Sequence, residues 1–247
     1  MSDVAVIVPF RPDGASRDRH WAWLRQQWQT HYPDWPVHIG LHTEGTWIKA
    51  HATATALGGC TARILIIADA DIWLDPAPGT LHRAVRDVNR SIPWVVPHRE
   101  VRRLTRDATD SFMTGQREDL AQVRGAYRGV PGGGLIVITR RNWEACGGFD
   151  PRFKGWGGED SSFGRAADTL VGRHRRLRGI LWHLWHDPQP RISRVVGSVG
   201  SKHLTDLYKR AGRSRSRMLQ LVREHAPEAS GRRSAVEAPR GGPPLES

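Results

Sequence analysis

Asp69-Ala70-Asp71 follows an apolar run, residues 63–68, that reads as a buried strand. Carboxylates two residues apart on an extended segment point the same way. At a strand's end their oxygens can hold a hard divalent cation, which can in turn hold a diphosphate. The same spacing also serves an ordinary turn. His183-Leu184-Trp185-His186-Asp187 forms a second group. Two imidazoles three residues apart could ligate one metal if the strand ends there, or could sit as hydrogen-bonded core and rim residues. Mixed nitrogen and oxygen donors suit Mn²⁺ better than Ca²⁺. In Gly155-Trp156-Gly157-Gly158-Glu159-Asp160, glycines around a tryptophan make a loop able to close an aromatic lid. Its two carboxylates fall where a helix would start, and a helix N-terminus keeps a carboxylate ionised, as a general base needs. A glycine turn with an acidic cap is the plainer alternative. Pro131-Gly132-Gly133-Gly134, before the run 135–139, could let a ligand approach bare backbone or could simply turn the chain.

The elements that must position these residues alternate. Apolar runs at 4–9, 37–41, 63–68, 94–97, 135–139 and 180–185 read as strands, and most lack the polar alternation of a half-exposed sheet. Helical patterns fall at 17–31, where Trp21, Leu24 and Trp28 share a face, and at 46–57, 81–91, 141–147 and 159–172. Residues 99–130 are charged and weakly patterned, with a helical stretch expected around 116–127. This order predicts an α/β fold with a mostly parallel, Rossmann-like central sheet, flanked by helices, and sites at the strands' carboxyl ends. One domain is expected over residues 1–209, with a nucleotide-binding half at 1–97 and a catalytic half at 98–209. A basic helix at 208–225 and a disordered tail at about 227–247 follow. No GxGxxG follows the first strand and no P-loop is present, so the usual dinucleotide and NTPase phosphate cradles are absent.

The chain has 247 residues, enough for one sizeable core. No apolar run reaches the ~20 residues of a membrane helix, and the start Met1-Ser2-Asp3-Val4 carries no signal-peptide core. Two cysteines, Cys60 and Cys146, cannot build a disulfide framework, so a reduced, cytoplasmic setting of bacterial or phage type is expected. Basic residues number 37 against 25 acidic, a net charge of +12. Only 8 Arg and 4 Glu lie beyond residue 209, so the body stays strongly basic. The charge fits either a solvated basic surface or a polyanionic partner such as nucleic acid, nucleotide or anionic glycan.

Taken in order, these motifs resemble the β-1,4-galactosyltransferase-like glycosyltransferases of GT-A type, from about residue 4 to 190. That family's first strand ends in Pro-Phe-Arg, as Pro9-Phe10-Arg11 does here. Its aromatic helix is matched by His20-Trp21-Ala22-Trp23-Leu24, and its Phe-Asn-Arg-Ala segment by Trp47-Ile48-Lys49-Ala50, which keeps only the basic residue and the alanine. Its Asp-Val-Asp matches Asp69-Ala70-Asp71, and its Trp-Gly-Gly-Glu-Asp matches Trp156 to Asp160. The resemblance implies a GT-A nucleotide-sugar-binding fold and transfer of a hexose from a UDP-sugar to an acceptor hydroxyl, with inversion. It makes Asp160 the catalytic base, with Glu159 binding hydroxyls of acceptor or donor. Asp71, His183 and His186 become the ligands of Mn²⁺ or Mg²⁺. Pro9, Phe10, Arg11, Lys49, Asp69, Gly133, Gly134 and Trp156 become donor-site residues. Ser161 stands where the family usually has a third acid. A weaker resemblance to the polypeptide N-acetylgalactosaminyltransferases would instead imply retention. The acceptor is expected to be protein or glycan rather than DNA. A transferase acting on modified DNA bases, a metallohydrolase and a basic nucleic-acid-binding module are the alternatives.

Overall fold

The computed structural model describes residues 3–187 and 198–229. Eight strands form one sheet. They are β1 (Val4–Phe10), β2 (Val37–Leu41), β3 (Ile64–Ala68), β4 (Ile72–Leu74), β5 (Trp94–Arg103), β6 (Tyr127–Arg128), β7 (Leu135–Thr139) and β8 (Arg175–His183). Their order is β2-β1-β3-β7-β5-β8-β4, with β6 added against β5. The α/β class is as expected, but the sheet is mixed rather than mostly parallel. β2, β1 and β3 run parallel because α1 (Ser16–His31) and α2 (Lys49–Gly58) return the chain each time. β7 enters antiparallel between β3 and β5, and β4 pairs antiparallel with β8. Only β5 and β8 restore a parallel pair on the far side. Apolar runs report burial, not direction, so the reversals leave no trace in hydropathy.

Helices cover both faces, which is why every residue of β1 and β3 is buried. One face packs α1, α3 (Thr80–Asn89) and α4 (Arg106–Met113) through Leu24, Trp28, Leu81, Val88 and Phe112. The other packs α2, α5 (Arg140–Ala145), α6 (Glu159–Leu170), α7 (Ser198–Ala211) and α8 (Arg215–Arg223) through residues such as Trp143, Phe163, Tyr208 and Met218.

Several boundaries differ from expectation. Trp47 and Ile48 stay out of α2, since Ile48 is extended at φ −131°, ψ 101°. β5 continues to Arg103 through a charged stretch because Val101 keeps an inward face. The helix expected at 116–127 is absent; a helix forms at α4 instead, where Thr105 caps the Ala108 N–H. The expected helix 208–225 breaks between α7 and α8, and the Ser214 side chain caps the second. The boundary expected after residue 209 falls within α7. Met218, Leu221 and Val222 of α8 are buried in the same cluster as α6. The expected tail lies mostly outside the described residues, and Ala229 at its start is buried. Among the described residues no helix is long and apolar enough to cross a membrane.

Candidate active site

A cleft of about 270 Å³ opens where β1 and β3 end. All thirteen residues singled out in the sequence line it: Pro9, Phe10, Arg11, Lys49, Asp69, Asp71, Gly133, Gly134, Trp156, Glu159, Asp160, His183 and His186. Arg17, Trp47, His98, Arg103 and Tyr127 join them without having been predicted.

Strand pairing assembles the first cluster. Ile72 lies opposite His183 in the β4–β8 ladder, and the Leu184 N–H donates to the Asp71 carbonyl at 2.8 Å. Asp71 is thereby set against the end of β8. Its Oδ2 is 3.4 Å from His186 Nε2, and its Oδ1 is 3.9 Å from His183 Nε2. One ligand atom from each of the three residues falls within 4.8 Å of the others. Both histidines hold Nδ1 at 2.9 Å from a backbone carbonyl, Leu184 and Asp187 respectively. For His183 that contact assigns the proton to Nδ1 and leaves Nε2 as the lone-pair nitrogen toward Asp71. His186 Nδ1 also faces the donor-only Arg17 guanidinium, so its tautomer is not fixed by the carbonyl. Burial raises the Asp71 carboxyl, but His183, His186 and Arg17 outweigh it and hold it below the usual range. Burial pulls the His183 pKa below the ordinary histidine value. An ionised carboxylate and two imidazole lone pairs form a donor set that fits a borderline divalent ion such as Mn²⁺. Arg17 lies 3.3 Å from His186 Nδ1, and Arg103 lies 3.3 Å from His183 Nε2.

A second cluster sits across the cleft. Lys49, 7% exposed, places its ammonium 2.6 Å from Asp69 Oδ1 and 2.8 Å from Asp160 Oδ1, above the Phe149 ring. Burial works against its charge, yet the carboxylates of Asp160 and Asp69 hold its pKa above the ordinary lysine value. Burial also pushes up Glu159, and it drives Asp160 to about 7 against the pull of Lys49. Three carboxylates share one ammonium here, so Asp160 is left poised near neutrality. Lys49 thus touches two site acids while lining the cleft.

Residues 116–179 match the family model for the N-terminal domain of galactosyltransferase. Over that stretch the match bears out the resemblance read from the motifs. It includes Gly133, Gly134, Trp156, Glu159 and Asp160, and it stops short of His183. No curated protein sequence matches the chain. Among solved structures, the catalytic domain of Drosophila β1,4-galactosyltransferase 7 with xylobiose is 14% identical, with 83% of this chain and 80% of that one covered and a TM-score of 0.46. The mannosyltransferase PcManGT from Pyrobaculum calidifontis, with GDP-Man and Mn²⁺, is 19% identical over 92% and 73%, with a TM-score of 0.48. GalNAc-T7 with UDP, GalNAc and Mn²⁺ is 15% identical over 89% and 47%, with a TM-score of 0.46.

Within the galactosyltransferase-matching stretch, the glycines have packing reasons that the motif alone did not disclose. A Cβ on Gly132 would lie 2.2 Å from the Asp160 carbonyl oxygen, and one on Gly133 would lie 2.9 Å from Asp160 Oδ2. Segment 131–134 therefore rests directly on the first turn of α6. Gly158 starts that helix at φ 101°, where a Cβ would meet Thr205 Oγ1 at 2.4 Å. Trp156 leans on Trp47 with ring centroids 5.5 Å apart, and the Arg17 guanidinium lies 5.2 Å from the Trp156 ring centroid. The tie is reinforced by the Gly155 N–H, which donates to the Trp47 carbonyl at 2.8 Å. Arg11 donates to the Gly45 carbonyl at 2.8 Å, and Phe10 is buried against Trp21. The arginines 17 and 103 escaped notice because each is one charge in a basic stretch. Period-2 alternation along β5, with Val101 and Arg103 both in the cleft lining, was the available signal for Arg103.

Proposed function

We propose that this protein is a metal-dependent glycosyltransferase that moves a hexose from a UDP-sugar to an acceptor hydroxyl with inversion. The observation that carries the reading is the pairing, in one cleft, of an Asp71–His183–His186 ligand set with a carboxylate, Asp160, whose pKa lies about 7. Asp71, His183 and His186 would hold Mn²⁺ or Mg²⁺, which supplies charge neutralisation for a leaving diphosphate. The match at residues 116–179 and the resemblance of the motifs support a galactosyltransferase-like donor.

The chain's own groups then divide the work. Arg17 and Arg103 bring fixed positive charge to the wall that the diphosphate would face. Pro9, Phe10 and Arg11 form the floor at the end of β1, where a nucleotide fits. Trp156, leaning on Trp47, would cover the cleft and limit water, which would otherwise hydrolyse the donor. Lys49 occupies Asp160 Oδ1 and leaves Oδ2 for the acceptor. Asp160 takes the acceptor's hydroxyl proton on Oδ2. The acceptor oxygen bonds to the anomeric carbon as the bond from that carbon to the diphosphate oxygen breaks. Glu159, with Oε2 accepting from the Gly157 N–H at 2.9 Å, is placed beside the acid to bind a sugar hydroxyl.

Calorimetric titration of UDP into metal-stripped protein, with and without Mn²⁺, tests the donor site. Binding that depends on Mn²⁺ is expected. Absence of binding in both conditions would overturn the UDP-sugar reading.

A further inference from the structure

A second and more open groove, about 390 Å³, is lined by Arg99, Glu100, Ala126, Tyr127, Arg128 and Arg178. Tyr127 also lines the active-site cleft, so the two spaces share one residue. The groove belongs to β5, β6 and β8: Glu100 stands opposite Arg128 in the β5–β6 ladder, and Arg178 comes from the adjoining β8. Its charges do not cancel. Arg99, Arg128 and Arg178 are exposed, and none has an ion-pair partner among the described residues. The groove's one acid, Glu100, is engaged by Arg102 at 2.5 Å. Nearby, Arg176 donates to the His98 carbonyl, yet its Nε and Nη2 are buried without a partner. Arg124 stacks over Tyr127 at 3.7 Å. A guanidinium cluster with no counterion is a site for carboxylate or phosphate, which arginine can engage with two hydrogen bonds at once.

We propose that this groove is the acceptor subsite and that the acceptor is an anionic saccharide, with its charged groups on the units flanking the hydroxyl that is attacked. The proposal rests on the transferase reading above and names its acceptor class. The size of the groove suits a short saccharide. A nucleic-acid duplex would call for cations spread along a longer track of phosphates. Tyr127, at the junction, offers an aromatic face for a sugar ring between the charged groove and Asp160.

The test compares binding of tetragalacturonate and of its neutral methyl ester to the wild-type protein and to an Arg128→Gln/Arg178→Gln variant, at two salt concentrations. A maltotetraose bearing a terminal phosphate separates phosphate from carboxylate recognition. The acid probes should bind roughly tenfold or more tighter than the ester, with the preference lost in the variant and weakened by salt. Equal binding of acid and ester would overturn the proposal, as would an unchanged preference in the variant. So would a short DNA duplex that binds tighter than every saccharide and loses affinity in the variant, since that would make the groove a nucleic-acid surface. Mn²⁺-dependent UDP binding, measured on both proteins, keeps the two readings apart. If UDP binds equally to both while the acid preference is missing, the groove proposal falls and the transferase stands. If UDP fails to bind while the acid preference holds, the transferase falls and the anion groove stands.

Discussion

Asp71 and Asp160 are both half-buried carboxylates in one cleft, and their neighbours shift them in opposite directions. Around Asp71 stand two imidazoles and Arg17, and together they overcome burial to keep it ionised below the usual carboxylate range. Around Asp160 stand Asp69 and Glu159, and a single ammonium cannot offset two further acids plus burial. The difference lies in the company, since the side chain is the same. In the proposed function it separates the centre that would hold a cation from the one that would take a proton near neutral pH.

The largest effect should come from separating the two centres by substitution. Asp160→Asn keeps the shape and removes the base. Transfer should fall roughly 10²–10⁴-fold, while UDP affinity in Mn²⁺ stays within a few-fold of the wild type. Asp71→Ala should do the reverse at the binding step, abolishing the Mn²⁺-dependent part of UDP binding. Steady-state transfer assays paired with calorimetry read both. Transfer by Asp160→Asn within a few-fold of the wild type would erase the distinction, as would undiminished UDP binding in Asp71→Ala.

The two centres were unequally legible in the sequence. Asp71, His183 and His186 stood out in two groups of ligand types near expected strand ends, and the family resemblance joined them as a trio. What the sequence withheld was the ladder that joins them, because β4 is only three residues long and pairs with a distant strand, Leu74 with Leu181 being its last rung. The Asp160 cluster was legible as a motif but not as an electrostatic unit. Lys49 reaches it from α2, and nothing in Trp47-Ile48-Lys49-Ala50 announces that its ammonium will be buried between two acids. The fold divides likewise. Continuous apolar runs gave away β1, β3 and β7. The antiparallel entry of β7 was invisible because side-chain burial is the same in either direction. α4 was missed because its apolar face is only Ala108, Thr109 and Phe112, although Thr105 and Asp107 carried the N-terminal signal. α8 was set apart because its arginines masked Met218, Leu221 and Val222 at helical spacing.

Gly133→Ala sharpens the comparison without touching a charge. The added methyl would approach Asp160 Oδ2 to 2.9 Å, closer than a carbon and a carboxylate oxygen tolerate. Either the carboxylate moves or its free oxygen is capped, and a displacement on the order of 1 Å at a reacting atom can cost about 10²-fold. Transfer should drop by about that factor, while the ligand set at Asp71 and the UDP affinity in Mn²⁺ are preserved. Equal losses in transfer and in donor affinity would mean that the glycine serves the donor pocket and not the base.

The smallest effect is graded and comes from pH. A general base works when ionised, so single-turnover transfer should rise with pH and level off above about 7, the value to which burial drives Asp160. Between pH 8 and pH 6 the ionised fraction falls roughly tenfold for one such group, and the rate should fall with it. Asp71 is held below the usual carboxylate range and His183 below the ordinary histidine value, so donor affinity should change far less. Lys49→Met gives the sign a second check. The ammonium lowers the Asp160 pKa, so its removal should move the rising limb to higher pH rather than merely scale the profile down. A limb that stays at the same pH in Lys49→Met would show that the titrating group lies outside the cluster, and Asp160 would lose its claim to the proton.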